Sequence, residues 1–435
     1  MEAFSISKLK NYIIWCIFIF IFIYAPPVLP YTHLIEGILV LLAMGISYNH
    51  YYREAFVDSD IKLWLKVMIG VLAYAIFIPL PLSAFYNDIV DLPHYYHLFN
   101  RFAILVFMEV TCGTFLLARF KRKGYTFLFL LKVIIGAALV QSALACLAFI
   151  SPSVKEIFLS FMIKMGGLST ENEGVIIART FGFAGSMLDQ FGYGTGLLAG
   201  IAFYLGISYK SRYILYSLLI IIASALNARS GLVIYAMAVF ITIAFSIFIN
   251  RNLKMIVKSL AFIIILPTVL VASLNIVAQY NETTALWLSK GFESVVEFGT
   301  TGSSDMDNMR VITSERFWQM PDAAHILIGT GHSRYLTEGY LHTDCGIVND
   351  IWFVGIIGLV MLYGIVVYLC YKIFKDSHTS LEKFLSVFLI TSFFVFDIKA
   401  ASIGYNMGGA VFFLILFATR FYQRISIDKE GLKII

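Results

Sequence analysis

Apolar runs long enough to cross a membrane recur along almost the whole chain, separated by short polar connections. A helix rises about 1.5 Å per residue through a hydrocarbon core about 30 Å thick, so a span needs roughly 17 to 25 apolar residues. Twelve stretches qualify: 11–29, 32–48, 63–83, 99–119, 125–150, 190–208, 213–227, 231–249, 259–277, 346–371, 382–398 and 403–419. Those at 32–48 and 213–227 are short, so their ends are the least defined. The pattern predicts an all-α polytopic membrane protein of about twelve transmembrane helices, with one large polar loop before helix 10. Residues 1–277 would carry helices 1 to 9, residues 278–345 the loop, and residues 346–435 helices 10 to 12 and a tail, as one integral membrane domain. No internal repeat, low-complexity tract or separate soluble domain interrupts this layout.

Composition sharpens the reading. With 60% hydrophobic and 14% charged residues the chain lies far from soluble-domain averages. Its 39 Phe and 25 Tyr suit lipid-facing surfaces and interfacial belts. The basic residues sit between apolar runs and not on one patch, so the net charge of +5 implies no nucleic-acid partner. They report topology instead. If Lys8 and Lys10 stay in the cytoplasm, the clusters Arg119–Lys123, Lys210 and Arg212, Arg251 to Lys258, Lys372 to Lys383 and Arg420 to Lys433 all fall on the same side. That is the positive-inside bias, and it predicts both termini in the cytoplasm. The run Tyr12 to Leu29 reads as an uncleaved first helix, because it is long enough to span and is followed by Pro30 with no small-x-small cleavage site.

The connections predicted on the outer side are 84–98, 151–189, 278–345 and a short corner at Asn227–Ser230. Within the second, Val154 to Gly167 reads as an interfacial or re-entrant helix. Five scattered cysteines form neither a disulfide framework nor a zinc site, and Cys16, Cys112, Cys146 and Cys370 read as small hydrophobes of the apolar runs. There is no CxxC, HExxH, Walker A or GxGxxG pattern, so no metal, nucleotide or other cofactor is expected.

Chemistry-capable residues concentrate on the outer side. In Asn227-Ala-Arg229-Ser-Gly231 a permanently charged guanidinium sits at the edge of hydrocarbon, where it either snorkels to water or meets an anion. Arg179 opens a glycine-rich run through Gly182, Gly185, Gly192 and Gly194, which suits either close approach of a ligand or tight helix packing. The large loop adds Arg310, Arg316 and Arg334; five outer arginines exceed what topology asks for, and Arg binds phosphate bidentately. Against this, Asp305, Asp307, Glu315 and Asp322 could balance the loop arginines as ordinary solvated charge. His342 and Asp344 lie two apart just before helix 10, so a base and its partner could point the same way; alternatively Asp344 caps that helix. His325 and His332 read as solvent-exposed loop residues.

Three of these pieces together resemble the bacterial O-antigen polymerase and O-antigen ligase superfamily of membrane glycosyltransferases. They are Arg179-x-x-Gly182 leading into a helix, the Arg229-Ser-Gly231 corner, and Gly329-x-Gly331 followed by His342-x-Asp344-x-Gly346 and Gly355-Ile-Ile-Gly358. The resemblance covers most of the chain in layout but only about 40 residues in motif. It implies an inner-membrane enzyme acting on the periplasmic side, which joins oligosaccharide units carried on undecaprenyl pyrophosphate into O-antigen or capsule. Ligases of this kind often carry His-Asn or His-Ser and an aliphatic pair at the loop end, and His342-Thr-Asp344-Cys-Gly346 departs from that towards the polymerases. On this reading Arg179 and Arg229 bind lipid pyrophosphate, and Arg310, Arg316 and Arg334 contact phosphate or glycan. His342, with or without Asp344, serves as base or orients the acceptor. The implied partners are the lipid-linked oligosaccharide, membrane lipid and a chain-length regulator protein. A ligase that moves glycan to lipid A core is the nearest alternative. A lipid-linked oligosaccharide flippase is a further one, although transporters usually place their charges within spans.

Overall fold

The computed structural model describes residues 6–24, 26, 59–85, 111–164, 179–180, 182–184, 189–228, 230–280, 315–323, 325–331, 345–399 and 407–431. Among them every regular element is helical: α1 (Ile6–Tyr24), α2 (Ser59–Phe77), α3 (Pro79–Phe85), α4 (Thr111–Arg122), α5 (Phe127–Ile150), α6 (Pro152–Lys164), α7 (Asp189–Ser208), α8 (Arg212–Ala225), α9 (Ser230–Ala244), α10 (Leu253–Tyr280), α11 (Gly346–Lys375), α12 (Ser380–Lys399) and α13 (Met407–Gly431). Among the described residues five stretches are long and apolar enough to cross a membrane: Ser59–Leu82, Phe127–Ile150, Gln190–Ser208, Ser230–Ile249 and Gly346–Lys375. Leu9–Tyr24 and Arg212–Ala225 are shorter apolar helices. The expected span at 32–48 lies outside the described residues, as does the first half of that at 99–119. A helix covers most of the stretch Val154 to Gly167 as α6, with Ile157, Phe161 and Ile163 exposed.

Helix α7 is the axis of the bundle. It is buried on all sides from Phe191 to Ile207, as an apolar helix without a polar face must be, and it packs against α5, α8, α9, α10, α12 and α13. Its glycines let α9 come close: a Cβ at Gly196 would meet Gly231 Cα and Ile234 Cβ, each at 3.0 Å, and one at Gly200 would meet Ala238 Cβ at 2.5 Å. Tight helix packing is therefore the role of Gly196 and Gly200. Tyr204 stacks on Phe384 and Tyr193 on Phe396, tying α7 to α12 at 4.0 and 4.3 Å between ring centroids.

The basic clusters converge at one end. Buried Asp60, at the start of α2, takes Arg420 Nε at 2.8 Å, Arg424 Nη2 at 2.6 Å and Lys372 Nζ at 3.2 Å. Arg420 also bonds Asp376 (2.9 Å) and Gln423 (3.0 Å), and Gln423 donates to Ile373 O (2.9 Å) and Glu382 (3.1 Å). Tyr422 donates to Tyr125 O between α4 and α5, and Lys258 to Ser211 between α10 and α8.

The expected span at 346–371 is present as α11, and Gly355 (φ 65°, ψ −175°) breaks it from within. A break strands carbonyls on one side and N–H groups on the other, and within a membrane these must be satisfied by protein. The segment Ile326–Gly331 does so. Thr330 donates its N–H and hydroxyl to Trp352 O (2.8 and 2.7 Å) and Gly331 N–H donates to Phe353 O (3.2 Å). In return, Ile356 and Ile357 N–H donate to Ile326 O and Leu327 O (3.0 and 3.1 Å). Both strands cross on glycine: a Cβ on Gly329 (φ 84°) would press on Phe353 O, and one on Gly355 on Leu327 O. Tyr74 Oη holds Ile328 O at 3.1 Å from α2.

Candidate functional site

The site is assembled at the end of the bundle opposite the basic clusters, where three separate stretches of sequence meet. Arg179 and Thr180 run beside the corner that ends α8, with Thr180 N–H donating to Leu226 O at 3.0 Å. The same strand turns at Gly182 (φ 60°), where a Cβ would meet Gln141 Nε2 at 2.7 Å, and Phe183 N–H donates to Gln141 Oε1 at 3.3 Å. Thus α5 and the α8 corner grip the segment from two sides. The corner is itself held by α7: Gly192 lies against Ser230 and Ala228, and Thr195 Oγ1 donates to Ser224 Oγ at 2.8 Å.

Several buried side-chain polar atoms at this end have no hydrogen-bond partner, among them those of Asn227 and Thr180. Asn227 is fully buried, its backbone N–H is bonded to Ser224 O at 3.0 Å, and neither side-chain polar atom finds a hydrogen-bond partner. Thr180 is 1% exposed and its Oγ1 is likewise unpaired. Each buried polar group left this way costs about 1–3 kcal/mol, a cost that a folding role does not explain.

The second component is the first half of α11. Phe317, from the one-turn 3₁₀ helix Glu315–Trp318, packs with Cys345 and Val348 against Ile347, Trp352 and Ile398. Trp352 Nε1 donates to Gln319 O at 2.9 Å. Cys345 occupies the N-cap position of α11 in extended backbone, with the main-chain N–H groups of Val348 and Ile347 bonding its sulfur. Burial pushes its thiol up, and the nearby carboxyls of Asp397 and Asp350 push it the same way. Asp397 is itself 1% exposed and follows Phe396, the ring stacked on Tyr193 of α7, so this component adjoins the α7 end that carries the first.

Of the predicted site residues, Arg179 is described and half-buried. Arg316 sits in the 3₁₀ turn docked on α11. Arg229, Arg310, Arg334, His342 and Asp344 lie outside the described residues, although the flanks of Arg229 (Ala228, Ser230) and of Asp344 (Cys345) are placed at this end. His325 bonds Asp322 through Nδ1 (2.7 Å) and its backbone N–H (2.9 Å), which makes it a turn-forming residue. Sequence reasoning missed Thr180, Gln141 and Asn227. Asn227 stands two residues before Arg229, yet an Asn after an apolar run reads as an ordinary turn former.

No protein-family model matches this chain, and no curated protein matches it either.

Proposed function

We propose that the chain is a membrane glycosyltransferase that polymerises lipid-linked oligosaccharide units into a surface polysaccharide, O-antigen or capsule. It would do so as a twelve-span protein with both termini in the cytoplasm, acting on the outer face of the inner membrane. The observation that carries this reading is the Thr180 N–H to Leu226 O bond at 3.0 Å, which sets the Arg179 segment beside the corner bearing Arg229. Two guanidiniums from distant parts of the sequence suit a pyrophosphate, whose negative charge grows as the glycosyl bond breaks.

In the reaction, an acceptor sugar hydroxyl loses its proton and attacks the anomeric carbon of the donor. The bond to undecaprenyl pyrophosphate breaks, a glycosidic bond forms and the carrier leaves as the anion. Arg179 and Arg229 hold the leaving pyrophosphate, Arg310, Arg316 and Arg334 contact phosphate or glycan, and His342, with or without Asp344, takes the proton or orients the acceptor. The donor arrives already activated, so no nucleotide sugar is needed.

The test is a lipopolysaccharide gel from a deletion strain complemented with wild type, Arg229→Ala or His342→Ala. We expect the ladder to collapse to core plus one unit in the deletion and in both variants, each variant inserted at wild-type level. A bare core would point to the ligase or flippase, and an intact ladder with Arg229→Ala would remove that arginine from the reaction.

A further inference from the structure

Asn227 and Thr180 carry buried polar side chains without partners, on two segments that the Thr180 N–H to Leu226 O bond holds side by side. Gln141 accepts from Phe183 N–H, and Thr195 and Ser224 bond each other. The main-chain N–H groups of Asn227 and Ala228 are satisfied by Ser224 O at 3.0 and 2.7 Å. What remains open is the amide of Asn227, with a donor and an acceptor both unmet, and the hydroxyl of Thr180, which can act as either.

That chemistry selects its ligand. A phosphate oxygen only accepts, so it would satisfy the Asn227 Nδ2 donors and leave Oδ1 unmet. A neutral group that offers a donor and an acceptor together meets all three atoms, and a sugar supplies it either as neighbouring hydroxyls or as an acetamido substituent. We infer that Asn227 and Thr180 form a glycosyl-binding subsite, reading the sugar attached to the lipid carrier and not its phosphates. The inference rests on the proposed function for the presence of a lipid-linked glycan. Both side chains are buried in this structure, so a sugar reaches them only when the segments around them part.

The substitutions that test it are Asn227→Leu and Thr180→Val, near-isosteric changes that remove the polar atoms. A structural polar group lost this way lowers stability, whereas an unpaired one replaced by an apolar isostere leaves it unchanged or raises it. Full-length protein in nanodiscs is titrated with three probes: undecaprenyl pyrophosphate, the same carrier bearing one hexose, and the same carrier bearing one N-acetylhexosamine. We expect wild type to bind the glycosylated carriers at least tenfold more tightly than the bare one. Each variant should lose most of that preference, bind the bare carrier as wild type does, and melt no lower. A preference confined to the N-acetylhexosamine carrier would assign the subsite to an acetamido group, and a preference for both carriers to ring hydroxyls. Binding of all three carriers equally by wild type, a preference kept in both variants, or a lower melting temperature in either variant would overturn the subsite while leaving the carrier reading intact. Failure of wild type to bind any of the three would overturn both.

Discussion

Asp60 and Asn227, buried at opposite ends of the helical bundle, are treated in opposite ways. At the basic end Asp60 is surrounded by Arg420, Arg424 and Lys372, and the remaining hydrogen-bonding capacity of Arg420 passes to Asp376 and Gln423. At the other end Asn227 and the Thr180 hydroxyl are just as buried and have no partner. Charge is costlier to bury than an amide, so the end with the higher desolvation cost is the one that has been compensated. A protein that can satisfy three cations around one carboxylate could also satisfy one asparagine. The difference marks the Asp60 cluster as a fastening, whereas the Asn227 amide and the Thr180 hydroxyl hold nothing together.

The sharpest way to break this contrast is Asp60→Ala. It leaves Arg420, itself 4% exposed, without its main carboxylate, and removing one member of a buried charge group costs about 3–5 kcal/mol. We expect a large drop in thermal stability in detergent or nanodiscs, with transfer activity per folded molecule unchanged. A small drop would mean that water already shares this cluster.

Next in size is the crossing of Gly329 and Gly355, which joins the polar loop to α11. Alanine at Gly355 must adopt φ 65°, ψ −175°, and strain in such a region costs about 1–3 kcal/mol before any contact with Leu327 O is counted. Gly329→Ala meets Phe353 O from the other side, so both variants open one clasp and their effects should not add. Hydrogen exchange at the amides of Ile356 and Ile357 should rise in each single variant and little further in the double. Additive losses would mean that the loop and the helix break are independent.

How far these features can be read from sequence depends on their range along the chain. Hydropathy locates α5, α7 and α12 to within a few residues, because a single helix carries its own signal. It misses the break in α11, since Gly355-Ile-Ile-Gly358 does not interrupt the apolar run and the groups that satisfy it lie about 25 residues upstream. The Asp60 cluster is invisible for the same reason: its cations are legible as topology markers, but Lys372 and Arg420 lie 312 and 360 residues away. At the candidate site, Arg179 and the Arg229 corner are each legible as motifs. The bond that joins their neighbours Thr180 and Leu226 is not, nor is the unmatched amide of Asn227.

A smaller effect tests the unsatisfied end by stability alone. Asn227→Leu should leave the melting temperature unchanged or raise stability by roughly 1 kcal/mol, the opposite sign to Asp60→Ala. A loss would show that the amide is matched after all and would erase the contrast between the ends.

The smallest expected effect concerns Cys345, just outside the α11 span and fully buried. Burial, reinforced by Asp397 and Asp350, raises its thiol above the ordinary value, so the folded protein keeps the proton at a pH where the unfolded chain has begun to lose it. Below about pH 8.5 both states carry the neutral thiol, and its contribution to stability is fully present. As pH rises past that point the unfolded state ionises first and is favoured, and the contribution disappears as pH climbs through the folded-state value. Melting curves from pH 7 to pH 10 should therefore fall more steeply for wild type than for Cys345→Ala. The difference between the two curves should change by at most about 1.4 kcal/mol for each pH step of one above the thiol's ordinary value. At the basic end the buried groups work as ion pairs; here the buried acid is held neutral, so only this end should gain from the lower pH. Parallel curves would mean that ionisation of Cys345 meets little resistance, and that water reaches the start of α11 in the folded protein.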